Sequence, residues 1–273
     1  MGAFTGRVCV ITGAGSGIGR ALALALAAEG ARLAISDIDP DTVAQTADLA
    51  SARGAAEVAC ATLDVADRAA VFAYSDAVIE QFGTVNLVVN NAGVAVAKNV
   101  IDMPLDDFEW LMGINFWGVV YGSKAFLPHL VASGDGHLVN LSSVFGIIAV
   151  PGQSAYNAAK FGVRGFTEAL RQEMIVAGAP VKVTCVHPGG VKTGIARAAR
   201  TDSADPAGDA ERFDRIARTT PEQAAQAILR GVRRGSARVL IGHDARAIDV
   251  FERLLGPEYQ RIVSRAAARF DRG

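Results

Sequence analysis

Short apolar runs alternate along the chain with longer stretches whose apolar residues recur at helical spacing. The short runs predict strands: Val8–Thr12, Arg32–Ser36, Val58–Ala61, Leu87–Asn90, His137–Leu141, Val181–Val186 and Val239–Ile241. The longer stretches predict helices: near Ile18–Glu29, Asp41–Arg53, Arg68–Phe82, Pro104–Leu130 and Ser154–Ala177. This alternation predicts an α/β fold, a doubly wound, Rossmann-like parallel sheet with helices on both faces. No repeat or linker divides residues 1–273, so a single domain is expected.

Two segments depart from the alternation. Thr193–Thr220 is polar and rich in helix-breaking residues in its middle, then turns helix-like near Glu211–Arg218. It follows the carboxyl end of a predicted strand, where ligands bind in such sheets, so a substrate lid is favoured over a tolerated surface insertion. The tail Asp244–Phe270 predicts two helices broken at Gly256–Pro257. The tail could cap the pocket of its own subunit or that of a neighbouring subunit.

A glycine-rich turn, T-G-A-G-S-G-I-G at Thr12–Gly19, follows the first predicted strand and opens the first helix. Glycines let the backbone approach a pyrophosphate, and a helix N-terminus offers free N–H groups with a partial positive charge. The spacing is G-x-x-x-G-x-G, from Gly13, Gly17 and Gly19, because Ile18 stands where G-x-G-x-x-G requires glycine. An ordinary tight connection is the alternative, but the strand before the turn and the helix after it favour dinucleotide binding.

The second predicted strand is followed by an acidic residue, Asp37. A carboxylate at this point accepts hydrogen bonds from the adenosine ribose hydroxyls and repels a 2′-phosphate. Neither Ile38 nor Asp39 supplies a positive charge. A surface-turn aspartate is the alternative; together with the glycine turn, Asp37 favours NAD over NADP as the cofactor.

Tyr156 and Lys160 stand four residues apart in a predicted helix and therefore share one of its faces. Free tyrosine titrates near pH ~10, and a fixed positive charge beside it lowers its pKa towards the range useful for proton transfer. The pair alone is common on solvated helix faces. It indicates an acid/base site because Ser143 follows the preceding predicted strand and the glycine turn opens the chain.

Composition narrows the classes of function. Hydrophobic residues make up 51% of the chain and charged residues 20%, which is typical of a globular rather than a disordered protein. The formal net charge of −1 offers no overall field to nucleic acid or anionic lipid. No apolar segment approaches the ~18 residues of a membrane span. We therefore expect a soluble, cytoplasmic protein with no nucleic-acid or membrane partner.

Cysteine and histidine positions do not suggest disulfides or a metal. The three cysteines lack a CxxC pair and lie in strand-like runs, where buried free thiols are expected: Cys9, Cys60 and Cys185. The four histidines have no metal-ligand spacing, so no metal is expected. Arginines near the C-terminus alternate with apolar residues and predict a solvated helix face: Arg230, Arg233, Arg234 and Arg238.

Seven motifs occur in a compatible order along the chain: T-G-A-G-S-G-I-G, L-D-V with Asp64, N-N-A-G at Asn90–Gly93, G-I-N-F-W-G with Asn115, N-L-S-S-V-F-G at Asn140–Gly146, Y-N-A-A-K, and P-G-G-V-K-T at Pro188–Thr193. With these motifs the chain resembles the short-chain dehydrogenase/reductase family, in its compact single-domain branch. The resemblance covers Arg7 to about Ile241. One departure is Asn86, where the family often has aspartate; a changed hydrogen bond and intact catalysis are expected there.

The resemblance implies four catalytic residues. Tyr156 would exchange a proton with the substrate oxygen, while Lys160 would lower the pKa of Tyr156 and bind the nicotinamide ribose. Ser143 would orient and polarise the carbonyl, which leaves Ser142 as a plain loop hydroxyl. Asn115 would hold a water near Lys160; considered alone, it is more typical of a polar residue that distorts a helix in a core.

The resemblance also implies a cofactor wall. Asp64 would meet the adenine amino group, or alternatively cap the helix that begins near Arg68. Thr193 would bind the carboxamide, cap a lid helix, or do both. The strand end at Asn90 would line the adenosine ribose or form a plain turn. The expected cofactor contacts are Gly13, Ser16, Gly17, Ile18, Gly19, Asp37, Ile38, Asp64, Val65, Asn91, Ala92, Gly93, Tyr156, Lys160, Pro188, Gly189, Val191 and Thr193.

Together these features predict an enzyme that interconverts a secondary alcohol and a ketone by NAD-dependent hydride transfer. An NADP-linked ketone or ketoacyl reductase is an alternative, against which Asp37 argues. A catalytically silent nucleotide-binding regulatory protein is another, against which the complete set of four residues argues. A sugar-nucleotide epimerase also pairs Tyr with Lys, but the glycine spacing fits the single-domain branch better.

Substrate and assembly are less determined by the sequence. Positions that flank the motifs are mostly apolar and favour a hydrophobic alcohol or ketone, although they could equally be core: Val94, Val96, Val144, Phe145, Val150, Gln153, Gly190 and Ile195. The resemblance implies a homodimer or homotetramer formed through the helix that bears Tyr156 and its neighbour.

Overall fold

The structure is a computed structural model that describes residues 2–270, so residues 1 and 271–273 of the expected domain lie outside it. The strands are β1 (Val8–Thr12), β2 (Arg32–Asp37), β3 (Glu57–Thr62), β4 (Leu87–Asn90), β5 (Val96–Ala97), β6 (Gly136–Leu141), β7 (Val181–Pro188), β8 (Arg200–Thr201) and β9 (Arg238–Ile241). Seven form a parallel sheet in the order β3-β2-β1-β4-β6-β7-β9. The short β5 and β8 pair separately. All seven predicted strands and the doubly wound sheet are confirmed.

Ten α-helices are described: α1 (Gly17–Ala27), α2 (Pro40–Ala52), α3 (Arg68–Phe82), α4 (Leu105–Met112), α5 (Gly118–Ala132), α6 (Ser154–Val176), α7 (Pro206–Ile216), α8 (Pro221–Arg234), α9 (His243–Leu255) and α10 (Tyr259–Phe270). The helix predicted at Pro104–Leu130 is interrupted, because a π-helical segment at Gly113–Trp117 joins α4 to α5. Such segments often mark functional sites. None of the helices within residues 2–270 is long and apolar enough to cross a membrane.

Helices cover both faces of the sheet, which explains why β1 is apolar from Val8 to Ile11. Successive side chains of a strand point to opposite faces. Cys9 and Ile11 accordingly pack with α1 and α8, whereas Val8 and Val10 pack with α3, α5 and α6. All five β1 residues are buried.

The sheet positions a crevice at its carboxyl edge. β1 pairs with β2 on one side and with β4 on the other, so the winding of the chain reverses between β1 and β4. Open α/β sheets bind ligands beyond the carboxyl ends of the strands at such a point. The glycine turn follows β1 there, and the N-N-A-G segment follows β4.

The segment predicted as a lid contains β8 and α7. Its helix starts at Pro206, before the expected Glu211, because Asp205 caps it by accepting from the Gly208 amide at 2.9 Å. β8 pairs with β5, which fastens the segment beside the strand that follows N-N-A-G. In the tail, a 3₁₀ turn at Gly256–Glu258 separates α9 from α10, as the predicted break requires.

Some expectations about single residues were wrong. Cys60 is exposed, because β3 lies at the edge of the sheet, while Cys9 and Cys185 are buried as predicted. Arg230, Arg233 and Arg234 are exposed on α8. Arg238 instead lies in β9, where it forms ion pairs with acidic residues of α6 and α9.

Asn86 replaces the expected aspartate without loss of an acceptor. Its Oδ1 accepts a hydrogen bond from the Val8 amide at 3.0 Å. The side chain thereby ties the start of β4 to the start of β1, at the amino edge of the sheet and away from the crevice.

Candidate active site

The glycine turn has a geometry that only glycine satisfies at several positions. Gly13 and Gly17 have φ values of +65° and +52°, in the left-handed region. A methyl group on Gly19 would lie 2.1 Å from the carbonyl oxygen of Gly13. Ser16 precedes α1, is exposed and does not cap the helix with its side chain. The first N–H groups of α1 therefore remain available to an anionic group, which fits a pyrophosphate.

Thr12 and Asn91 lock this turn to the end of β4. Thr12 Oγ1 accepts from the amides of Asn91 and Ala92 at 3.1 and 3.2 Å. Asn91 Nδ2 donates to the carbonyl oxygens of Thr12 and Gly13 at 2.9 and 3.0 Å. The expected cofactor residue Asn91 is thus also a structural part of the cradle. The role of Thr12 was not predicted, because it joins residues far apart in the sequence.

Asn90 belongs to a buried polar network rather than to the crevice. Its Nδ2 donates to Asn140 Oδ1 at 2.8 Å, and Asn140 Nδ2 donates to Thr167 Oγ1 at 3.0 Å. These three residues lie in β4, β6 and α6 and link the helix that bears Tyr156 to the sheet. These bonds join the three elements in the core, while Asn90 Oδ1 has no hydrogen-bond partner among the described residues.

Asp37 lies directly beside the glycine turn. Its Oδ2 accepts from the Gly15 amide at 2.7 Å and its Oδ1 from the Asp39 amide at 3.2 Å. A carboxylate has about four acceptor sites, so both oxygens keep capacity for ribose hydroxyls. Ile38 is 63% exposed beside it. Arg20, which the sequence did not suggest, donates to Thr46 Oγ1 at 2.9 Å and to the Gly15 carbonyl oxygen, bracing the turn against α2.

Asp64 and Val65 follow β3 on the adenine side of the expected site. Asp64 is exposed, and its Oδ1 accepts from the Ala66 amide at 2.9 Å. The alternative role as the N-cap of α3 was wrong: Asp67 caps that helix by accepting from the Ala70 amide at 3.1 Å. Val65 is buried.

The turn after β7 reaches over to the glycine turn. A methyl group on Gly17 would lie 3.1 Å from Thr193 Cγ2, so the two segments are in contact. The alternative cap role of Thr193 was wrong, since Asp205 caps the lid helix. Pro188 and Gly189 are partly exposed at the crevice, whereas Val191 is buried in the core.

Tyr156, Lys160 and Ser143 lie together at the carboxyl end of β6. Lys160 Nζ lies 5.5 Å from the centroid of the Tyr156 ring and donates to the Leu141 carbonyl oxygen at 3.0 Å. Ser143 Oγ accepts from the Phe145 amide at 3.1 Å. Ser142 is buried and donates to the Lys160 carbonyl oxygen at 2.8 Å, so its hydroxyl ties β6 to α6. This favours Ser143 as the serine that faces a substrate.

Asn115 reaches the same place from the π-helical segment. Its Oδ1 accepts from the Val94 amide and its Nδ2 donates to the Val94 carbonyl oxygen, both at 2.8 Å. A methyl group on Gly93 would lie 3.2 Å from Asn115 Oδ1 and 3.6 Å from Lys160 Nζ. Asn115 therefore holds the chain after N-N-A-G close to Lys160, and it is fully buried.

The pKa of Tyr156 differs from the expectation. Burial raises it to about 12, and the Ser143 side chain opposes that rise. Burial also lowers the pKa of Lys160 to about 8. In the protein alone, the rise in pKa caused by burial outweighs any lowering by the Lys160 ammonium, so the net shift at Tyr156 is upward. At neutral pH the pair is therefore a phenol beside an ammonium.

His187 is a buried neighbour of the site that the sequence did not assign. Its Nδ1 lies 2.9 Å from the Ser143 carbonyl oxygen, and because a carbonyl only accepts, Nδ1 carries the proton. Its Nε2 has no hydrogen-bond partner among the described residues. Burial lowers the pKa of His187 to about 4. A neutral His187 thus fixes the backbone at Ser143.

The candidate substrate positions divide into core and surface. Val96 and Val144 are buried, so they belong to the core, as the alternative interpretation of the sequence allowed. The other positions keep accessible surface: Val94, Phe145, Val150, Gln153, Gly190 and Ile195. The Phe145 ring meets Tyr156 edge-on, with centroids 6.1 Å apart and an angle of 90°. An aromatic wall therefore stands beside the tyrosine.

Comparison with known proteins agrees with this geometry. The family model described as short chain dehydrogenase matches residues 7–204. The chain belongs to the short-chain dehydrogenase/reductase family. It is an oxidoreductase that depends on a nicotinamide dinucleotide.

Two relatives illustrate the range of similarity. SadH of Mycobacterium tuberculosis, named as an oxidoreductase, is 59% identical over 272 residues, covering 99% of this chain and 98% of SadH. Epidermal retinol dehydrogenase 2 of Mus musculus is 40% identical over 191 residues, covering 70% of this chain and 62% of its own length.

Solved structures share the fold. A short-chain dehydrogenase/reductase from Burkholderia phymatum in complex with NAD is 34% identical, with a TM-score of 0.82 over 88% of this chain and 90% of the other. An alcohol dehydrogenase from Thermococcus sibiricus complexed with 5-hydroxy-NADP is 28% identical, with a TM-score of 0.71 over 83% and 90% of the two chains. Related folds therefore accept either cofactor.

Proposed function

We propose that this protein interconverts a hydrophobic secondary alcohol and its ketone with NAD(H), with Tyr156 exchanging the proton. The observation that carries the proposal is the convergence of Tyr156, Lys160 and Ser143 beside the Gly93 segment and the glycine turn. Acid/base groups thus lie next to a cradle suited to a dinucleotide.

The side chains suit proton transfer at a substrate oxygen. A bound nicotinamide supplies hydride acceptance in oxidation and hydride donation in reduction. Ser143 Oγ accepts from the Phe145 amide, so its own hydroxyl hydrogen can be donated either to Tyr156 or to a substrate oxygen bound beside it. Tyr156 is a phenol at neutral pH, so it can give its proton to a carbonyl oxygen in reduction.

Oxidation runs the same proton transfer backwards. Tyr156 must then accept the hydroxyl proton of the alcohol, for which it has to become a phenolate first. The Lys160 ammonium favours that phenolate electrostatically, since it lies 5.5 Å from the ring. With a pKa of about 8, Lys160 remains mostly charged at neutral pH.

Asp37 supports NAD over NADP. Its carboxylate is partly exposed and lies 2.7 Å from the Gly15 amide. It would accept from ribose hydroxyls and repel a 2′-phosphate at the same place. The positive charge of Arg20 would favour NADP, but its guanidinium already donates hydrogen bonds to Thr46 Oγ1 and the Gly15 carbonyl oxygen.

The accessible wall supports an apolar substrate. Phe145 packs edge-on against Tyr156, Val94 packs in the same apolar cluster as Tyr156, and Val150 packs in the same cluster as Phe145; none of them carries a charge. Ligand sites of this kind take up the apolar part of a molecule and orient it with few polar groups. The retinol dehydrogenase relative acts on a hydrophobic alcohol according to its name.

Two further proposals concern movement and assembly. Residues 193–220 would act as a lid, because β8 lies against β5 and the Arg200 amide donates to the Ala95 carbonyl oxygen at 3.1 Å. Trp117, at the end of the π-helical segment that leads into α5, is 46% exposed, and Phe161 on α6 is 39% exposed. Such aromatic exposure supports a homo-oligomer formed through these two helices. Light scattering on the purified protein would measure its mass.

The test is a panel of alcohols and ketones assayed by nicotinamide absorbance with NAD(H) and NADP(H) in parallel. Turnover of apolar secondary alcohols or ketones, faster with NAD(H), is the expected result. Turnover confined to charged sugars would overturn the apolar substrate, and a preference for NADPH would overturn the role of Asp37. Binding of NADH without turnover of any member would favour a silent nucleotide-binding protein.

A further inference from the structure

The C-terminal helices α9 and α10 touch the site at two separate places. The family match ends at residue 204, so these helices lie outside the region that the family model describes. The similarity to SadH extends over nearly the whole chain.

The first contact is made by Tyr259, the first residue of α10. Its hydroxyl accepts from the Ala149 amide at 2.9 Å, and its side chain is buried against Ile147 and Ile148. These residues belong to the loop between Ser143 and α6. The same loop carries Phe145, whose ring meets Tyr156 edge-on. Tyr259 thus fixes the loop that forms the apolar wall.

The second contact is made by Asp244 in the first turn of α9. Its Oδ2 accepts from the Gly190 amide at 2.7 Å. A methyl group on Gly189 would lie 2.2 Å from the same oxygen, so the P-G-G turn rests directly on the carboxylate. This turn follows β7 and faces the glycine turn across the crevice. Asp244 therefore supports the cofactor side.

We propose that the tail is a brace of its own subunit's active site, in which Tyr259 positions the substrate wall and Asp244 positions the cofactor wall. The inference rests on the proposed function and answers a question that the sequence left open. Tyr259 is accordingly a positioning residue for the apolar part of the substrate. Tyr259 affects binding of the substrate and Asp244 affects binding of the cofactor, so the kinetic effects of changing each residue can be measured separately.

Kinetics of single variants test the separation. Tyr259→Phe removes one hydroxyl and is expected to raise the KM of the best ketone about three- to tenfold, the effect of one lost hydrogen bond, with the KM of NADH unchanged. Asp244→Ala is expected to raise the KM of NADH and to leave the KM of the ketone unchanged. Asp244→Asn keeps an acceptor oxygen and should restore the KM of NADH. Leu254→Ala, on the exposed surface of α9, is the matched control.

A second readout does not depend on turnover. Amide hydrogen exchange should accelerate at residues 147–150 in Tyr259→Phe and at residues 189–191 in Asp244→Ala, each without change at the other segment. If the unaltered protein turns over no substrate, the proposed function fails. The hydrogen-exchange measurements would still show whether Tyr259 and Asp244 hold the two segments in place. Equal rises of both KM values in each variant, or unchanged exchange at both segments, would overturn the brace and reduce the tail to a stabilising element.

Discussion

Lys160 Nζ lies 5.5 Å from the centroid of the Tyr156 ring while donating to the Leu141 carbonyl oxygen. The ammonium is thereby anchored to β6, and its charge acts on the tyrosine from a fixed position. Because burial opposes ionisation of the hydroxyl and raises its pKa to about 12, the protein alone keeps a proton on Tyr156. The arrangement is that of a proton donor held ready beside a positive charge.

Tyr156→Phe should lower kcat by about 10²- to 10⁴-fold, the usual contribution of a positioned acid or base. The phenyl ring keeps the packing against Phe145, so NADH binding should stay unchanged. The two quantities are measured by steady-state kinetics and by fluorescence titration with NADH. Tyr121→Phe is the matched control, because Tyr121 lies on α5, away from the helix that bears Tyr156, and its ring stacks on Trp117. Equal kcat values in both variants would remove Tyr156 from its proposed role.

Local patterns were enough to predict the sheet and the residues that follow each strand. β1 is apolar because both of its faces are covered, and Tyr156 and Lys160 share a helix face because they are four residues apart. The order of the motifs predicted that Ser143 and Asn115 belong to the same site as Tyr156. In the structure Asn115 lies near Lys160, and Ser143 lies beside Tyr156.

Contacts between distant segments could not be predicted in this way. The Ala149 amide meets Tyr259 and the Gly190 amide meets Asp244 across long sequence separations, with no periodicity that signals them. The direction of the pKa shift at Tyr156 depends on how tightly the hydroxyl is enclosed, which spacing does not report. Cys60 was misplaced for a related reason, since an apolar run does not show which strand lies at the edge.

His187 should make the protein sensitive to acid. His187 takes up a proton near pH 6.5 in the unfolded chain but only near pH 4 in the folded protein. Protonation would place a donor on the buried Nε2, which has no hydrogen-bond partner among the described residues. The unfolded state therefore binds more protons in this window, and the free energy of unfolding falls as the pH drops from 6.5 towards 4. Above pH 6.5 this contribution is fully retained.

Urea unfolding at about pH 7 and about pH 5 measures the effect. In His187→Gln the loss of unfolding free energy between these two conditions should be smaller than in the unaltered protein by about 2 kcal/mol. His243→Gln, at an exposed position, should show the unaltered loss. The same acid loss in His187→Gln would contradict a buried neutral histidine.

Asp37→Asn should shift the preference between cofactors. Asparagine keeps an oxygen that can accept from the Gly15 amide but removes the negative charge beside the proposed ribose. The ratio of kcat/KM for NADH to that for NADPH should fall by about 10- to 100-fold. Asp39→Asn is the matched control, since asparagine caps a helix as well as aspartate does and α2 should keep its cap. An unchanged ratio would show that Asp37 does not read the 2′ position.

The proposed lid is fastened by a cluster of charges around Asp107. This carboxylate accepts from Arg200 Nη1 at 2.8 Å and lies 3.1 Å from Lys98 Nζ, and Lys98 also pairs with Asp202 at 2.7 Å. The Arg200 bond, followed by Lys98, lowers the pKa of Asp107. The Arg200 guanidinium also lies 3.6 Å from the Trp110 ring centroid. One acidic side chain thus joins α4 to β8 and to Lys98, which directly follows β5.

Asp107→Asn should loosen the lid, because the neutral amide no longer balances two cations. Limited proteolysis within residues 200–216 should become about two- to fivefold faster, and the substrate KM should rise in parallel. Added salt should accelerate cleavage of the unaltered protein and change the variant less, since salt screens the same charges. Asp106→Asn, at the exposed neighbouring position, is the control for a general effect on α4. Equal cleavage of the two variants would mean that the Asp107 charge does not hold the lid, which leaves the pairing of β5 with β8 and the Lys98–Asp202 ion pair.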